Sequence, residues 1–249
     1  TVLAASAPGR WDRGAALRVR IESGALSSAL PSAVLSGANV AAIGDGSAAN
    51  WEVFQFTSAT LVAPKTYDIT LRLRGQAGSD GTQPAFWPIG SSFVLITPAL
   101  QQIDLPLSAR GLARYYRFAP ANRGYDSAGA VLRVESFDGI GLRPYAPAHL
   151  TARRQSNGDL NIGWIRRTRL DGDNWQSLEV PLAEASEAYG LRIQTGSTTL
   201  REVTTTAPGW TYSAAQQLAD AATGSLTIAV AQISQRFGPG PWCRLAVTL

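Results

Sequence analysis

Alternating apolar and polar residues predict β-strands along most of the chain. In AALRVRIES (residues 15–23), Leu17, Val19 and Ile21 alternate with charged residues, as in a strand with one buried face. Gly, Pro, Asp and Asn separate such runs at short intervals, and no long helical period occurs before residue 150. Further strands are predicted at residues 51–62, 66–75, 92–97, 102–108, 114–120 and 130–137. This part of the chain is therefore predicted to be an antiparallel β-domain.

A glycine motif precedes the predicted strand at residues 51–62. GDGSAA (44–49) matches a variant of the dinucleotide-binding fingerprint, which requires a helix directly after it. The residues that follow, WEVFQF, instead alternate as a strand and place Glu52 on the same side as Phe54 and Phe56. The motif is therefore interpreted as a hairpin turn.

The second part of the chain has the strand density of a small β-sandwich. Gly and Pro residues in GIGLRPYAPAHL (139–150) predict a domain boundary. About seven alternating runs follow in roughly a hundred residues, the number typical of such a sandwich, with one short helical turn at 213–222. The predicted domains are 1–145, as one domain or two subdomains, and 146–249.

Composition limits the classes of function. Of the 249 residues, 45% are hydrophobic and 16% charged, so the chain can bury a core. The net charge is +4, yet the basic residues are spread along the sequence and Lys65 is the only lysine, which argues against direct nucleic-acid binding. The apolar runs are too short to span a membrane. Cys243 is the only cysteine, and the absence of methionine suggests a fragment or a processed product.

Candidate catalytic and metal-binding residues are few. His149 is the only histidine and adjoins the predicted boundary, which favours packing over catalysis. DGDN (171–174) lacks the spacing of a calcium loop. Glu184 and Glu187 could pair across a turn, but are better explained as a polar lead-in to a strand or as partners of upstream arginines. The prediction is a chain that is not an enzyme and has no catalytic, cofactor-binding or metal-binding residues.

Tryptophans supply the candidate binding residues. Trp164 lies within an alternating strand and is predicted to be core. Those at strand ends or in loops could stack on sugars or pack against another subunit, and they are Trp51, Trp87, Trp175, Trp210 and Trp242. Trp175, Trp210 and Trp242 are the predicted glycan or partner contacts.

The run NIGWIRRTRLDGDNW (161–175) combines tryptophan with packed charge. As a strand it places Arg166 on one face and Arg167 and Arg169 on the other, so it forms no single basic patch. Nearby carboxylates that could pair with these arginines are Asp171, Asp173, Glu179 and Glu184. The run is interpreted as a strand that ends in an ion-paired loop.

Residues 147–249 contain a proline before the first predicted strand, Trp164 in the second, Tyr189 at the start of the third, and GPGP (238–241) before the last. In these features they resemble a fibronectin type III domain. This resemblance implies an all-β chain: an antiparallel β-domain followed by a fibronectin type III-like β-sandwich.

Longer phrases resemble a second family. LSGANVAAIGDG, WEVFQFTSATLVAPKTYDITLRLRGQAGSD, GLRPYAPAHL and VAQISQRFGPG are similar to the C-terminal part of baseplate hub and host-specificity tail proteins of siphovirus-like phages and gene transfer agents of alphaproteobacteria. The resemblance implies a structural component of a tail tip, assembled in the bacterial cytoplasm and located in the virion. It implies other tail and baseplate subunits as partners, a homotrimer, and attachment to a host-surface glycan or receptor. The alternative is a carbohydrate-binding module that recognises a cell-surface or capsular glycan.

Overall fold

The computed structural model describes residues 1–172 and 180–249. These residues divide into two compact units, Thr1–Ile140 (unit 1) and Gly141–Leu249 (unit 2). The sheets of both units consist of antiparallel strands and their helices are short, which confirms the predicted all-β fold class.

Unit 1 contains ten strands and one short α-helix. The strands are β1 (Leu3–Ala4), β2 (Trp11–Asp12), β3 (Leu17–Arg20), β4 (Val40–Gly44), β5 (Trp51–Ala63), β6 (Thr66–Gln76), β7 (Phe86–Trp87), β8 (Ser92–Leu95), β9 (Arg114–Phe118) and β10 (Val131–Glu135). The helix is α1 (Pro31–Leu35), and 3-10 helices occupy Ser79–Thr82 and Leu107–Ala109. A third 3-10 helix, Ile140–Leu142, spans the division in the sequence.

A six-stranded sheet organises unit 1. Its order is β2-β6-β5-β4-β8. The sixth strand, β3, also pairs with β6, at residues 66–69, whereas β2 pairs with Arg72 and Leu73. The long hairpin β5–β6 is its centre, while β1 and β7 form a separate two-stranded pair. Strand β4 turns into β5 through residues 45–50, so GDGSAA is a hairpin connection as predicted. Hydrogen bonds from Ser47 and Asn50 hold this turn and lower the pKa of the Asp45 carboxyl to about 2.

The core of unit 1 follows the predicted alternation. Leu17, Val19, Phe54, Phe56 and Ile69 are buried in one apolar cluster. In β6 only the alternate positions Tyr67 and Ile69 are buried before Leu71, which has a positive φ of 51°, whereas all four positions from 72 to 75 are buried after it. The change brings two arginines, Arg72 and Arg74, into buried positions.

The last part of unit 1 corrects one predicted strand. Residues 102–108 do not pair with any strand, and the 3-10 helix Leu107–Ala109 begins at their end. Pro106 has no N–H to donate to a sheet, and its φ of −65° with ψ of 154° leads into the helix instead. The next two strands, β9 and β10, pair only with each other among the described residues.

Unit 2 contains eight strands and one α-helix. The strands are β11 (Ala148–Arg154), β12 (Leu160–Ile165), β13 (Tyr189–Thr195), β14 (Thr198–Thr205), β15 (Gly209–Tyr212), β16 (Ser225–Ser234), β17 (Gly238–Pro239) and β18 (Cys243–Thr248). The helix is α2 (Ala214–Ala219).

The strand order of unit 2 is that of a fibronectin type III domain. One sheet has the order β11-β12-β15, and the other has β14-β13-β16, with β17 and β18 both pairing with β16. The sheet of β11, β12 and β15 therefore faces the sheet of β13, β14, β16 and β18, as the sequence resemblance implied. Trp164 and Tyr189 meet in the core with ring centroids 5.2 Å apart, and Leu191, Ile193 and Ile228 pack there too.

Helix α2 is fixed at both ends. The Ser213 hydroxyl accepts a bond from Gln216 N, and the Gln216 side chain accepts one from Ser213 N, which forms a capping box. At the other end Asp220 accepts two bonds from Arg201, at 2.7 and 2.8 Å, and one from the buried Tyr212 hydroxyl at 2.7 Å. The bonds from Arg201 hold the pKa of Asp220 below its usual range, and burial raises the pKa of Tyr212.

Candidate functional site

A buried charge cluster lies beside the core of unit 1. Glu52 and Arg74 are both fully buried and form a bidentate pair, with Nε–Oε1 at 2.6 Å and Nη2–Oε2 at 2.7 Å. Arg72 and Arg74 also reach the Asp12 carboxylate, at 2.9 and 3.3 Å. The formal charges of these four residues cancel. We call the set Asp12, Glu52, Arg72, Arg74, Gln83 and Trp87 the Glu52 cluster.

Polar groups complete the shell around Glu52. Gly75 N and the Gln83 amide donate to Oε1, at 3.1 and 2.8 Å, and the Trp87 indole donates to Oε2 at 2.8 Å. Because no part of Glu52 or Arg74 is exposed, this pair stabilises the fold and offers no group to a ligand. Trp87, predicted at a loop or strand end available for stacking, is 3% exposed, so that expectation was wrong.

The arginines of NIGWIRRTRLDGDNW hold the loops of unit 2. Arg166 donates to Val180 O and Pro181 O at 2.7 and 2.8 Å, and Arg167 lies over the Tyr145 ring. The strand β12 ends at Ile165, so the three arginines follow it and do not alternate on its two faces as predicted. Arg169 pairs with Glu184 at 3.2 Å, which confirms the predicted ion-paired loop.

Several residues of that prediction lie outside the described residues, namely Asp173, Asn174, Trp175 and Glu179. The expected contact through Trp175 and the full DGDN segment therefore have no structural description. Glu187, the other carboxylate of the pair, accepts a bond from the Tyr189 hydroxyl at 2.6 Å. A cleft of about 410 Å³ opens beside Arg169, Glu184 and Phe237. The Glu184 carboxylate in this cleft is already paired with Arg169.

The two remaining tryptophan candidates lie in different environments. Trp210 stacks on Tyr212, with ring centroids 5.6 Å apart and an interplanar angle of 24°, and packs against the core of unit 2. Trp242 lies on the outer face of the sheet, over Gly190 and against Arg192, whose Cζ is 4.2 Å from the ring centroid. Trp242 is therefore the better placed of the two to contact another molecule.

Polar side chains surround Trp242 on the same face. Arg192 pairs with Glu202 across the strands at 3.0 Å, and Arg244 donates to the Gln194 amide oxygen at 2.9 Å. We call Gly190, Arg192, Gln194, Glu202, Trp242 and Arg244 the Trp242 face. An aromatic ring beside planar hydrogen-bonding groups is the kind of surface that binds sugars or polar protein segments.

The most exposed apolar surface of the described residues lies between residues 100 and 134. Its large exposed side chains are Leu100, Ile103, Leu107, Leu112, Tyr115, Phe118, Tyr125, Val131, Leu132 and Val134. Five of them belong to the hairpin β9–β10, and we call these the hairpin surface: Tyr115, Phe118, Val131, Leu132 and Val134. A two-stranded hairpin is at best marginally stable alone in water, so a hairpin with apolar side chains on both faces needs a cover.

The described part of the chain contains no candidate metal-binding group and no helix that could span a membrane. It contains no group of three or more His, Cys, Asp and Glu side chains that could hold a metal ion. His149 is exposed at a register shift of β11, with a positive φ of 51°. Neither described helix has the length and apolarity needed to cross a bilayer.

The sequence comparisons identify one similar family. Residues 1–94 match the family model described as Rcc01698-like, C-terminal. This segment contains strands β1–β7, all of β8 except Leu95, and the whole Glu52 cluster. No curated protein sequence matches the chain.

Two solved structures show a distant likeness. The extracellular region of rat CD45, domains d3–d4, is 8% identical over 62% of this chain and 72% of that chain, with a TM-score of 0.32. The FN1–FN3 domains of chicken CNTN1 are 12% identical over 96% of this chain and 62% of that chain, with a TM-score of 0.29. Because both scores are low, the fold of unit 2 is assigned from its own strand order.

Proposed function

We propose that the chain is a structural module of a phage-like tail tip, in the baseplate hub region, that acts in tail assembly and host-surface attachment. The observation that carries the proposal is the hairpin surface, because exposed apolar side chains grouped on one hairpin are typical of a site covered on assembly. The sequence phrases similar to tail-tip proteins support it. Other tail and baseplate subunits are the partners proposed for this surface.

Incorporation into particles tests the proposal. A tagged chain carrying Leu132→Asp and Val134→Asp is expressed in a producing strain, and purified particles are analysed by quantitative mass spectrometry. We expect incorporation to fall at least about tenfold, because burying each new carboxylate in an interface costs more binding free energy than one hydrogen bond contributes. Leu218→Asp is the matched control, because Leu218 is 84% exposed on α2 and lies apart in sequence from the hairpin surface.

Two outcomes would contradict the proposal. If purified particles lack the chain, the chain is not a component of the virion. Equal incorporation of the hairpin variant and the Leu218→Asp control, with circular dichroism showing both folded, would show that the hairpin surface plays no part in assembly.

The Trp242 face supports a second candidate function, a carbohydrate-binding module. Titration calorimetry with capsular and cell-wall polysaccharides of the host tests it. If this function holds, Trp242→Ala weakens binding about tenfold, in line with the loss of one stacked sugar. Tyr125→Ala, which removes an exposed aromatic side chain from unit 1, keeps full binding. Absence of binding by the unmodified chain rejects this function.

A further inference from the structure

The Trp242 face carries more arginine than carboxylate. Its charged side chains are Arg192, Glu202 and Arg244, so two positive charges and one negative charge leave it with a net positive charge. The register of β13, β16 and β18 places further side chains on this side of the sheet, and they are uncharged: Thr227, Ala229, Ala231, Ala246 and Thr248.

Arg244 carries the surplus charge. Its side chain is exposed, and its hydrogen bond to the Gln194 amide oxygen, at 2.9 Å, is the only polar contact it makes within residues 1–172 and 180–249. Gln194 is itself held in place, because its amide nitrogen donates to the Thr199 hydroxyl at 3.1 Å. Since a guanidinium has several N–H donors, Arg244 keeps donors for a ligand.

Arg192 is oriented and already compensated. The Glu202 carboxylate pairs with it at 3.0 Å, and its Cζ lies 4.2 Å from the centroid of the Trp242 ring. Ala229 pairs with Arg192 on one side and with Arg244 on the other, so the two arginines are two strand spacings apart, roughly 10 Å. One extended ligand can therefore reach the partly exposed ring and both arginines.

We propose that the Trp242 face binds a polysaccharide that carries carboxylates, and that Arg244 is the residue that recognises the acidic group. The argument is charge complementarity, because a carboxylate can accept two parallel hydrogen bonds from one guanidinium. The proposal rests on the host-surface attachment in the proposed function and on the second candidate function. It adds the chemical class of the glycan.

A nucleic acid fits this face less well. Binding to a phosphate backbone draws its affinity from several phosphates at once and uses arginines and lysines placed along a track. Here a single arginine is uncompensated, and Glu202 would repel a second phosphate. We therefore expect single-stranded DNA not to displace a bound acidic polysaccharide. Displacement by DNA at a lower concentration than the polysaccharide itself requires would overturn the proposed class of ligand.

Matched polymers test the acidic class. The whole chain is titrated by calorimetry with alginate, polygalacturonate and hyaluronan, and with each polymer after chemical reduction of its carboxylates to alcohols. We expect at least one acidic polymer to bind about tenfold more tightly than its reduced form. Raising the NaCl concentration from about 50 to about 500 mM should weaken that binding. Absence of binding to all three acidic polymers, or equal affinity for both forms, would overturn the proposal.

Two arginine substitutions test the position of the site. Arg244→Gln should weaken binding of the acidic polymer about tenfold and leave binding of the reduced form unchanged. Arg154→Gln is the matched control, because Arg154 is exposed on β11 in the other sheet of unit 2 and its loss changes the net charge of +4 by the same amount. An equal loss in both variants would show that binding follows the overall charge of the chain.

A gain of affinity provides a test that misfolding cannot imitate. Glu202→Gln removes the carboxylate that compensates Arg192, and it should strengthen binding of the acidic polymer about threefold. Glu22→Gln is the matched control, since the Glu22 side chain is 87% exposed in unit 1 and the net charge rises equally. Weaker binding by Glu202→Gln, or an equal gain in both variants, would contradict the proposal.

The failures of the proposals are distinguishable. If the chain is present in purified particles but binds acidic and reduced polymers equally, the tail-tip function stands and the acidic class is rejected. If the chain binds acidic polymers through Arg244 but is absent from particles, the tail-tip function is rejected and the class of glycan stands.

Discussion

Glu52 illustrates how a single carboxylate can organise the first unit. It accepts bonds from Arg74, Gly75, Gln83 and Trp87 and has no exposed surface. The alternation of WEVFQF correctly places it on the same side as Phe54 and Phe56, and all three are buried in the structure. The other members of the Glu52 cluster could not be predicted, because Asp12 and Trp87 lie far away in sequence and only the folded sheet brings them together.

Replacement of Glu52 by Gln tests the weight of this cluster. The variant leaves Arg74 buried without its bidentate partner, and we expect unit 1 to lose about 3–5 kcal/mol of unfolding free energy. Hydrogen exchange of β5 and β6 amides in urea measures this loss for unit 1. Glu202→Gln is the matched control, because its pair with Arg192 is half exposed and contributes about 1 kcal/mol or less. An equal effect of the two variants would show that the cluster carries no special weight.

Asp220 should give unit 2 an acid-sensitive contribution to stability. Its hydrogen bonds with Arg201 and Tyr212 lower its folded-state pKa from the usual 3.8, so the contribution is complete above that value and is lost as the pH falls below it. We therefore expect the stability difference between the unmodified chain and Asp220→Asn to be larger at pH 6 than at pH 3. Urea denaturation at both pH values measures it, and a constant difference would contradict the assignment.

At the scale of elements, the alternation of apolar and polar residues was sufficient to predict a strand that pairs with its neighbour in sequence. The alternation at residues 51–62 and 66–75 corresponds closely to β5 and β6, which form one hairpin. The strand predicted at 102–108 failed, since alternation cannot show whether a partner strand exists. Helix α1, five residues long and without a side-chain cap, gave no periodic signal to detect.

Helix α2 depends on its N-terminal cap. Ser213→Ala removes the hydroxyl that accepts from Gln216 N, and the expected cost is about 1 kcal/mol of unit 2 stability. Ser197→Ala, at the exposed turn between β13 and β14, should change stability by less than about 0.5 kcal/mol. Thermal denaturation compares the two, and a Ser213→Ala variant as stable as the control would show that α2 does not need its capping box.

At the scale of the whole molecule, each unit has its own hydrophobic core. One core is centred on Phe54, Phe56 and Ile69, and the other on Trp164, Tyr189 and Leu191. The sequence indicated two domains from the Gly- and Pro-rich segment at 139–150. It named Trp242 and Trp210 as candidate contacts but could not tell which of them lies on an open face, or predict the hairpin surface, because exposure depends on packing between strands distant in sequence.

Residues 141–249 should therefore fold alone. A separately expressed segment is expected to unfold cooperatively in urea and to keep the tertiary circular dichroism signal of the packed Trp164–Tyr189 pair. A gradual transition without near-ultraviolet signal would show that unit 2 needs the rest of the chain.

The Glu52 cluster also has a consequence for when unit 1 can fold during synthesis. Its members extend from Asp12 to Trp87, and Arg74 additionally binds the carbonyl of Ala4. Until Gln83 and Trp87 have left the ribosome, the nascent chain cannot enclose Glu52 and Arg74 without leaving polar groups unpaired, which opposes early burial. The first unit is thus expected to close only after its eighty-seventh residue emerges, as one late step.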